Sequence, residues 1–166
     1  MKNWKLYFEK HLNRKPKEQL IKALSFCASK NVALDLGAGT LIESRAILNN
    51  GFKKVIAIDN APDVGLFVKN FNDVRLSFKN ISFKEYNFPK NKFDLINAQY
   101  ALPFNGEKGF NTLFKKIKNS LKNKGVFVGQ FFGVKDSWNK KGSDLVFHKK
   151  SEVLKLLSGL EVIEFI

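Results

Sequence analysis

A chain of 166 residues is long enough to bury a core and is expected to form one domain, 1–166; its 44% hydrophobic and 27% charged residues exclude disordered and low-complexity classes. The net charge of +14 raises the question of a polyanion partner, but the excess is lysine dispersed from Lys2 to Lys155 beside only three arginines, which fits a solvated surface better than a nucleic-acid footprint. No stretch has the apolar length of a signal peptide or a membrane span, so a cytoplasmic location without a membrane partner is expected, and the lone Cys27 excludes an internal disulfide or a cysteine-based zinc site.

In chain order, an amphipathic piece from Trp4 through Leu12 comes first, and Pro16 fits the first turn of a helix over Glu18 to Ala28; these N-terminal helices, within 1–29, precede everything else. Val32 to Leu36 is an apolar run of buried-strand length, and Gly37-Ala38-Gly39 after it is a turn that another molecule can approach closely. Thr40-Leu41-Ile42-Glu43 fits a capping box, opening a helix to Asn50 with Gly51 suited to its left-handed C-terminal position. A second strand, Lys54 to Ile58, ends in Asp59, about twenty residues beyond Gly39, where a βαβ unit places an acid for ribose hydroxyls.

Pro62-Asp63 opens a helix near Val64 to Phe71, and a third strand is expected within Ile81 to Tyr86. Phe93 to Ala98 is a buried parallel-type strand, Gly109 to Leu121 a helix with an apolar stripe through Phe110, Leu113, Phe114 and Ile117, and Val126 to Phe132 a fifth strand. Ser151 caps a helix over Glu152 to Ser158, and Glu161 to Ile166 reads as a last strand. Alternating strands and helices predict an α/β fold: a three-layer, doubly wound, mostly parallel sheet with its ligand at the carboxyl ends of the first and fourth strands.

The ligand class follows from the turn. A nicotinamide-binding turn read from Gly37 needs a third glycine where Ile42 stands, and no Gly-Lys-Ser/Thr follows, which excludes a P-loop. The pattern Asp35-x-Gly37-x-Gly39, the acid Asp59 and the block Phe93-Asp94-Leu95-Ile96-Asn97 together resemble class I S-adenosylmethionine-dependent methyltransferases over nearly the whole chain. Phe93 to Phe104, followed by Gly129-Gln130-Phe131-Phe132-Gly133, Asp136 and Trp138, resembles the small bacterial branch related to tellurite-resistance methyltransferases.

That resemblance implies S-adenosylmethionine as cofactor and a small-molecule acceptor such as a tellurite- or selenite-like oxyanion. It places the Gly37, Ala38 and Gly39 backbone beside the methionine tail, Asp35 in support of the turn, Asp59 on the ribose and Asn60 at the adenine. Glu85 would receive the adenine amino group, the Tyr86 N–H would reach the ring, and the Asn97 or Ala98 carbonyl would accept from the ammonium group. Leu41 stands where the family has a third glycine and Ile42 where it often has a base, a role that Arg14 or Lys15 could fill. The resembled fold closes with an antiparallel strand for which no sequence follows Ile166, so the expectation is either a truncated chain or a last strand that pairs with strand five or with a partner molecule, as in a homodimer through an exposed sheet edge.

Tyr7, Tyr100, Phe104, Phe131 and Trp138 are candidates for an acceptor pocket under the N-terminal helix, although in a chain with 17 phenylalanines aromatics are more often core. His148 lies in a strand-like block and is expected to be structural; His11 is expected to be exposed. No Ser/His/Asp set, metal cluster or paired carboxylate emerges, and methyl transfer from a sulfonium needs positioning and desolvation more than a base. No catalytic residue is therefore named, with Tyr100 and His11 the first to test. Two other readings remain: a nucleic-acid amino-methyltransferase, with Asn97-Ala98-Gln99-Tyr100 where such enzymes carry Asn-Pro-Pro-Tyr, and a non-catalytic cofactor-binding domain.

Overall fold

The computed structural model describes residues 4–166; Met1 to Asn3, at the start of the expected N-terminal helical segment, lie outside the described residues. Two short helices, α1 (Trp4–Lys10) and α2 (Glu18–Ser25), lead into β1 (Val32–Leu36), followed by α3 (Ile42–Asn49), β2 (Lys54–Ile58), α4 (Val64–Lys69) and β3 (Leu76–Lys79). The second half comprises β4 (Phe93–Ala98), a 3-10 turn over Leu102–Asn105, α5 (Phe110–Ser120), β5 (Leu121–Gly129), β6 (Phe132–Gly133), β7 (Phe147–His148) and α6 (Lys150–Leu156).

Five strands pair in the order β3-β2-β1-β4-β5, all parallel, so the direction of winding reverses between β1 and β4. The three central strands read as apolar runs because both of their faces are covered. Successive residues point to opposite sides: Ala33, Val55 and Leu95 pack with Leu20 and Leu24 of α2 and Ile47 and Leu48 of α3. Leu34, Ile58 and Ile96 pack with Phe110, Leu113, Phe114 and Ile117 of α5 on the other side. The result is the three-layer, doubly wound parallel sheet expected from the sequence.

The departures are local. β3 lies at Leu76–Lys79, ahead of the expected Ile81 to Tyr86, because the apolar residues there are used differently: Phe83, Tyr86 and Phe88 turn inward to the core. The Thr40–Glu43 capping box does not form. Leu41 caps α3 in the left-handed region at φ +62 with no side-chain bond, and the Glu43 carboxylate is occupied by Arg14. Pro16 precedes α2 rather than entering its first turn, and α2 ends at Ser25, leaving Cys27 buried just beyond it.

β5 starts at Leu121, which pairs with Phe93, then bulges before Val126 pairs with Leu95. It leaves the sheet after Gly129, and Phe132–Gly133 pairs with Phe147–His148 as a separate parallel ribbon. Helix α6 begins at Lys150, with the Glu152 carboxylate accepting the Lys149 N–H at 2.7 Å, so Ser151 lies inside the helix and does not cap it. Glu161 to Ile166 forms no strand: Glu164 pairs with Lys22, Phe165 lies under the Lys150 ammonium at 5.1 Å, and no ladder joins the segment to another among the described residues. Among the described residues no helix is long and apolar enough to cross a membrane.

At the amino ends of the strands, the buried Asp94 carboxylate ties three of them together. It accepts the Asn31 and Val32 N–H groups at 3.1 and 2.8 Å and the Lys122 ammonium at 2.9 Å. Burial alone would raise its pKa, but the Val32 and Lys122 hydrogen bonds outweigh it and hold the carboxyl below its ordinary value. The stability it contributes is present above the unfolded carboxyl pKa and is lost as pH falls through the folded one. Asp94→Asn should therefore lower unfolding free energy by about 1–3 kcal/mol at neutral pH and flatten the acid limb below about pH 4, as measured by urea denaturation across pH.

Candidate functional site

The site forms at the carboxyl ends of β1 and β4, where the winding reverses. After Leu36 the chain turns sharply, and the Ile58 carbonyl accepts both the Gly37 N–H at 2.8 Å and the Ala38 N–H at 3.2 Å. Gly37 has φ +76, and a Cβ there would fall 2.4 Å from the Ala101 Cβ, so only glycine fits. Asp59 completes the turn: one carboxylate oxygen accepts the Gly39 N–H at 2.9 Å and the other the Ala61 N–H at 2.8 Å. Burial pushes its pKa up against the pull of these backbone bonds.

Leu41 follows in the left-handed conformation that a glycine would take without strain. That geometry costs about 1–2 kcal/mol, whereas burying a leucine contributes about 1.5–3 kcal/mol. Leu41 is 1% exposed in a cluster with Ala38 and Ala57, packed on by Phe67 and Phe78, so packing outweighs the strain.

Beneath the turn lies Asp35, buried, with its two oxygens accepting the Ser44 hydroxyl at 2.6 Å and the Asn97 amide at 2.7 Å. Burial pushes its carboxyl up to about 7; the bonds from Ser44 and Asn97 pull down and the nearby Glu43 and Asp59 charges push further up. Glu43 is itself buried and forked by Arg14, whose two terminal nitrogens donate to its two oxygens at 2.6 Å each. Desolvation works against the Arg14 charge, and the Glu43 hydrogen bond and charge overcome it.

The turn, Asp59, Glu43 and Arg14 border a cavity of about 590 Å³. Gly37, Ala38, Gly39, Asp59, Asn60 and Asn97 border it at one end, with Phe83 and Arg14. Tyr7, Tyr100, Phe104 and Trp138 border it at an aromatic end together with Trp4 and Phe132. Ring pairs such as Trp4–Phe104, with centroids 5.4 Å apart, and Phe132–Trp138, 5.5 Å apart, meet edge to face. His11 is not the exposed residue expected: it is half-buried at the wall, stacked on Tyr7 at 4.2 Å.

Asp35 does not border the cavity but supports its floor, and Ala98 lies behind the wall with its carbonyl accepting the Gln130 N–H at 3.3 Å. Glu85 and Tyr86 are not brought to the cavity either. The Glu85 carboxylate folds back on Ser82, accepting its N–H at 2.8 Å and its hydroxyl at 2.6 Å. Tyr86 packs edge to face on Phe88 in the core, where burial raises its phenol pKa. Phe131 points away into the core, against Phe114 and Phe110. Lys15 is absent from the wall, whereas Arg14 borders it.

Sequence reasoning missed Gln99, a polar residue inside the apolar run Phe93 to Phe104, where its polarity was the available signal. It borders the cavity, is 9% exposed, and among the described residues neither its amide nitrogen nor its oxygen has a hydrogen-bond partner. The Asn97 side-chain oxygen is likewise buried without a partner. An unmatched amide and a second unmatched amide oxygen at one cavity fit a site for a polar ligand.

A family model described as a methyltransferase domain matches residues 33–125, from β1 to the β5 bulge. No curated protein matches the sequence significantly. Among solved structures, a Haloferax volcanii putative methyltransferase in complex with the Trm112 methyltransferase activator is 17% identical with a TM-score of 0.74, covering 90% of this chain and 70% of that one. The Burkholderia thailandensis 1,6-didemethyltoxoflavin-N1-methyltransferase, with bound 1,6-didemethyltoxoflavin and S-adenosylhomocysteine, is 20% identical with a TM-score of 0.64, covering 84% and 65%. A Leishmania major S-adenosylmethionine-dependent methyltransferase is 18% identical with a TM-score of 0.70, covering 97% and 64%. The chain thus spans roughly two thirds of their lengths, and at these identities the likeness shows a shared fold.

Because the native state keeps on Asp35 a proton that the unfolded chain releases above about pH 4, this group's contribution to stability declines as pH rises toward 7. Asp35→Asn should remove that decline, so that unfolding free energies measured at pH 5 and pH 8 lie closer together in the variant than in the parent.

Proposed function

The chain belongs to the class I methyltransferase family, and from that premise we propose that it transfers a methyl group from S-adenosylmethionine to a small-molecule acceptor held in the same cavity. The observation that carries this reading is the glycine turn pinned by Ile58 and Asp59 beside the buried, unpartnered Asn97 oxygen. On this reading the Gly37–Gly39 backbone and the Asn97 amide hold the amino-acid tail, Asp59 and Asn60 the ribose and adenine, and Asp35 keeps the floor in place. Each Asp59 oxygen already accepts one backbone N–H and retains lone-pair capacity for a ribose hydroxyl. Arg14 neutralises the buried Glu43 beside this part of the cavity, where Ile42 offers no base.

When bound, the sulfonium supplies an electrophilic methyl that an in-line nucleophile displaces. The chain's part is to align the acceptor and exclude water, which the aromatic end of the cavity suits. Among small acceptors, an oxyanion of the tellurite or selenite type would need uncommitted cations. Arg14 is forked to Glu43 and the Lys17 ammonium sits 4.7 Å over the Tyr100 ring, so the walls favour an organic acceptor.

Calorimetry with S-adenosylhomocysteine should show saturable binding, weakened about 10–100-fold in Asp59→Ala through lost charge-assisted hydrogen bonds and measurably weakened in Arg14→Gln. No heat at millimolar ligand and an unaltered melting temperature would contradict the reading.

A further inference from the structure

We propose that the acceptor is a flat aromatic or heteroaromatic molecule carrying a hydrogen-bond donor beside an acceptor on one edge, and that the Gln99 amide binds that edge as the specificity-determining contact. The proposal rests on the reading that the glycine-turn end of the cavity holds the methyl donor.

Three observations carry it. The first is the orphaned amide itself: Gln99 is 9% exposed, borders the cavity, and leaves both Nε2 and Oε1 unmatched. A buried amide is costly to leave unsatisfied, so a ligand edge that reaches it gains by matching both of its ends. Turning the amide over exchanges its two ends, so it presents one donor and one acceptor whichever way it faces. The complementary ligand edge is one acceptor beside one donor, as in a lactam or an amino-substituted ring nitrogen.

The second observation is that Gln99 is held in place. On one side the Asn97 amide donates to Asp35 at 2.7 Å. On the other the Tyr100 N–H donates to the Gln130 side-chain oxygen at 3.1 Å. Tyr100 also has φ +52, a left-handed conformation that a bulky residue keeps only where its surroundings impose it, and such outliers gather at functional sites. Both neighbours of Gln99 are thus tied down, and its own side chain is buried at the cavity border.

The third is the wall around it. Trp4, Phe104, Phe132 and Trp138 border the cavity and meet edge to face, with Phe104 6.1 Å from Phe132 and 6.3 Å from Trp138, so the cavity has an aromatic face here. Such faces stack on a planar molecule, while an inorganic anion gains nothing from them. An aromatic slot with one bidentate polar group fixes both the plane and the rotation of its guest, which aims a single ring atom at the methyl donor.

The chain's two tryptophans, Trp4 and Trp138, both border the cavity, so intrinsic fluorescence reports on this end directly. The test uses protein saturated with S-adenosylhomocysteine and two probes, 2-quinolone, whose lactam edge presents N–H beside C=O, and quinoline, which lacks the donor, with calorimetry for affinity. We expect 2-quinolone to quench the tryptophans and bind about tenfold more tightly than quinoline. In Gln99→Met the two probes should come within about twofold of each other, with S-adenosylhomocysteine affinity unchanged; Gln99→Leu should behave alike. Both variants replace an unmatched amide by an apolar group and should melt at or above the parent temperature. An unchanged probe ratio in both variants would overturn the proposal, as would failure of 2-quinolone to bind while S-adenosylhomocysteine still does. Failure of S-adenosylhomocysteine to bind the parent protein would instead overturn the cofactor reading beneath it.

Discussion

The Asp35 carboxylate is the knot on which the site depends. It stands on β1, takes a hydroxyl from Ser44 on α3 and an amide from Asn97 on β4, and is buried. Those two bonds fix how the helix leaves the glycine turn and where β4 delivers Asn97 and Gln99. Charge there is held close to its limit. Burial brings the Asp35 carboxyl to about 7, the buried Glu43 and partly buried Asp59 add like charge, and the Arg14 guanidinium is locked to Glu43. The arrangement persists because each carboxylate oxygen has a donor, which is what makes buried acids tolerable.

The same region stores strain and leaves groups unmatched. Leu41 and Tyr100 adopt left-handed backbone on either side of the turn, and the amides of Asn97 and Gln99 keep orphaned atoms at the cavity. At the opposite end of the sheet, Asp94 joins β1, β4 and β5 through matched hydrogen bonds. The sheet is therefore anchored firmly at its amino ends and left incompletely satisfied at its carboxyl ends, where a ligand would complete it.

The central strands were legible in the sequence because double-sided burial writes a continuous apolar run: Val32–Leu36, Lys54–Ile58 and Phe93–Ala98 stand where the pattern predicts. The edge was not. Leu76–Lys79 is covered only in part and carries Ser77, so the more apolar stretch containing Phe83 and Tyr86 drew the third strand to the wrong place. With it went the reading of Glu85, whose position at a strand end was an assumption and whose carboxylate in fact closes a turn on Ser82. The capping box failed for a different reason. Glu43 has the right spacing from Thr40, but the stronger partner is Arg14, 29 residues earlier in the chain, and no local pattern shows a tertiary ion pair. Of the aromatic candidates, Tyr7, Tyr100, Phe104 and Trp138 reach the cavity while Phe131 does not: it precedes the β6 ribbon, and adjacent residues there face opposite ways.

The central claim is that the strand-end glycine turn is a cofactor cradle, and amide-resolved NMR tests it most directly. Titrating the nitrogen-15-labelled protein with S-adenosylhomocysteine should move the Gly37, Ala38, Gly39, Asn60 and Asn97 backbone resonances most, with Lys122 and Lys155 nearly still. Shifts that spare the turn, or a spectrum that does not respond at millimolar ligand, would contradict it.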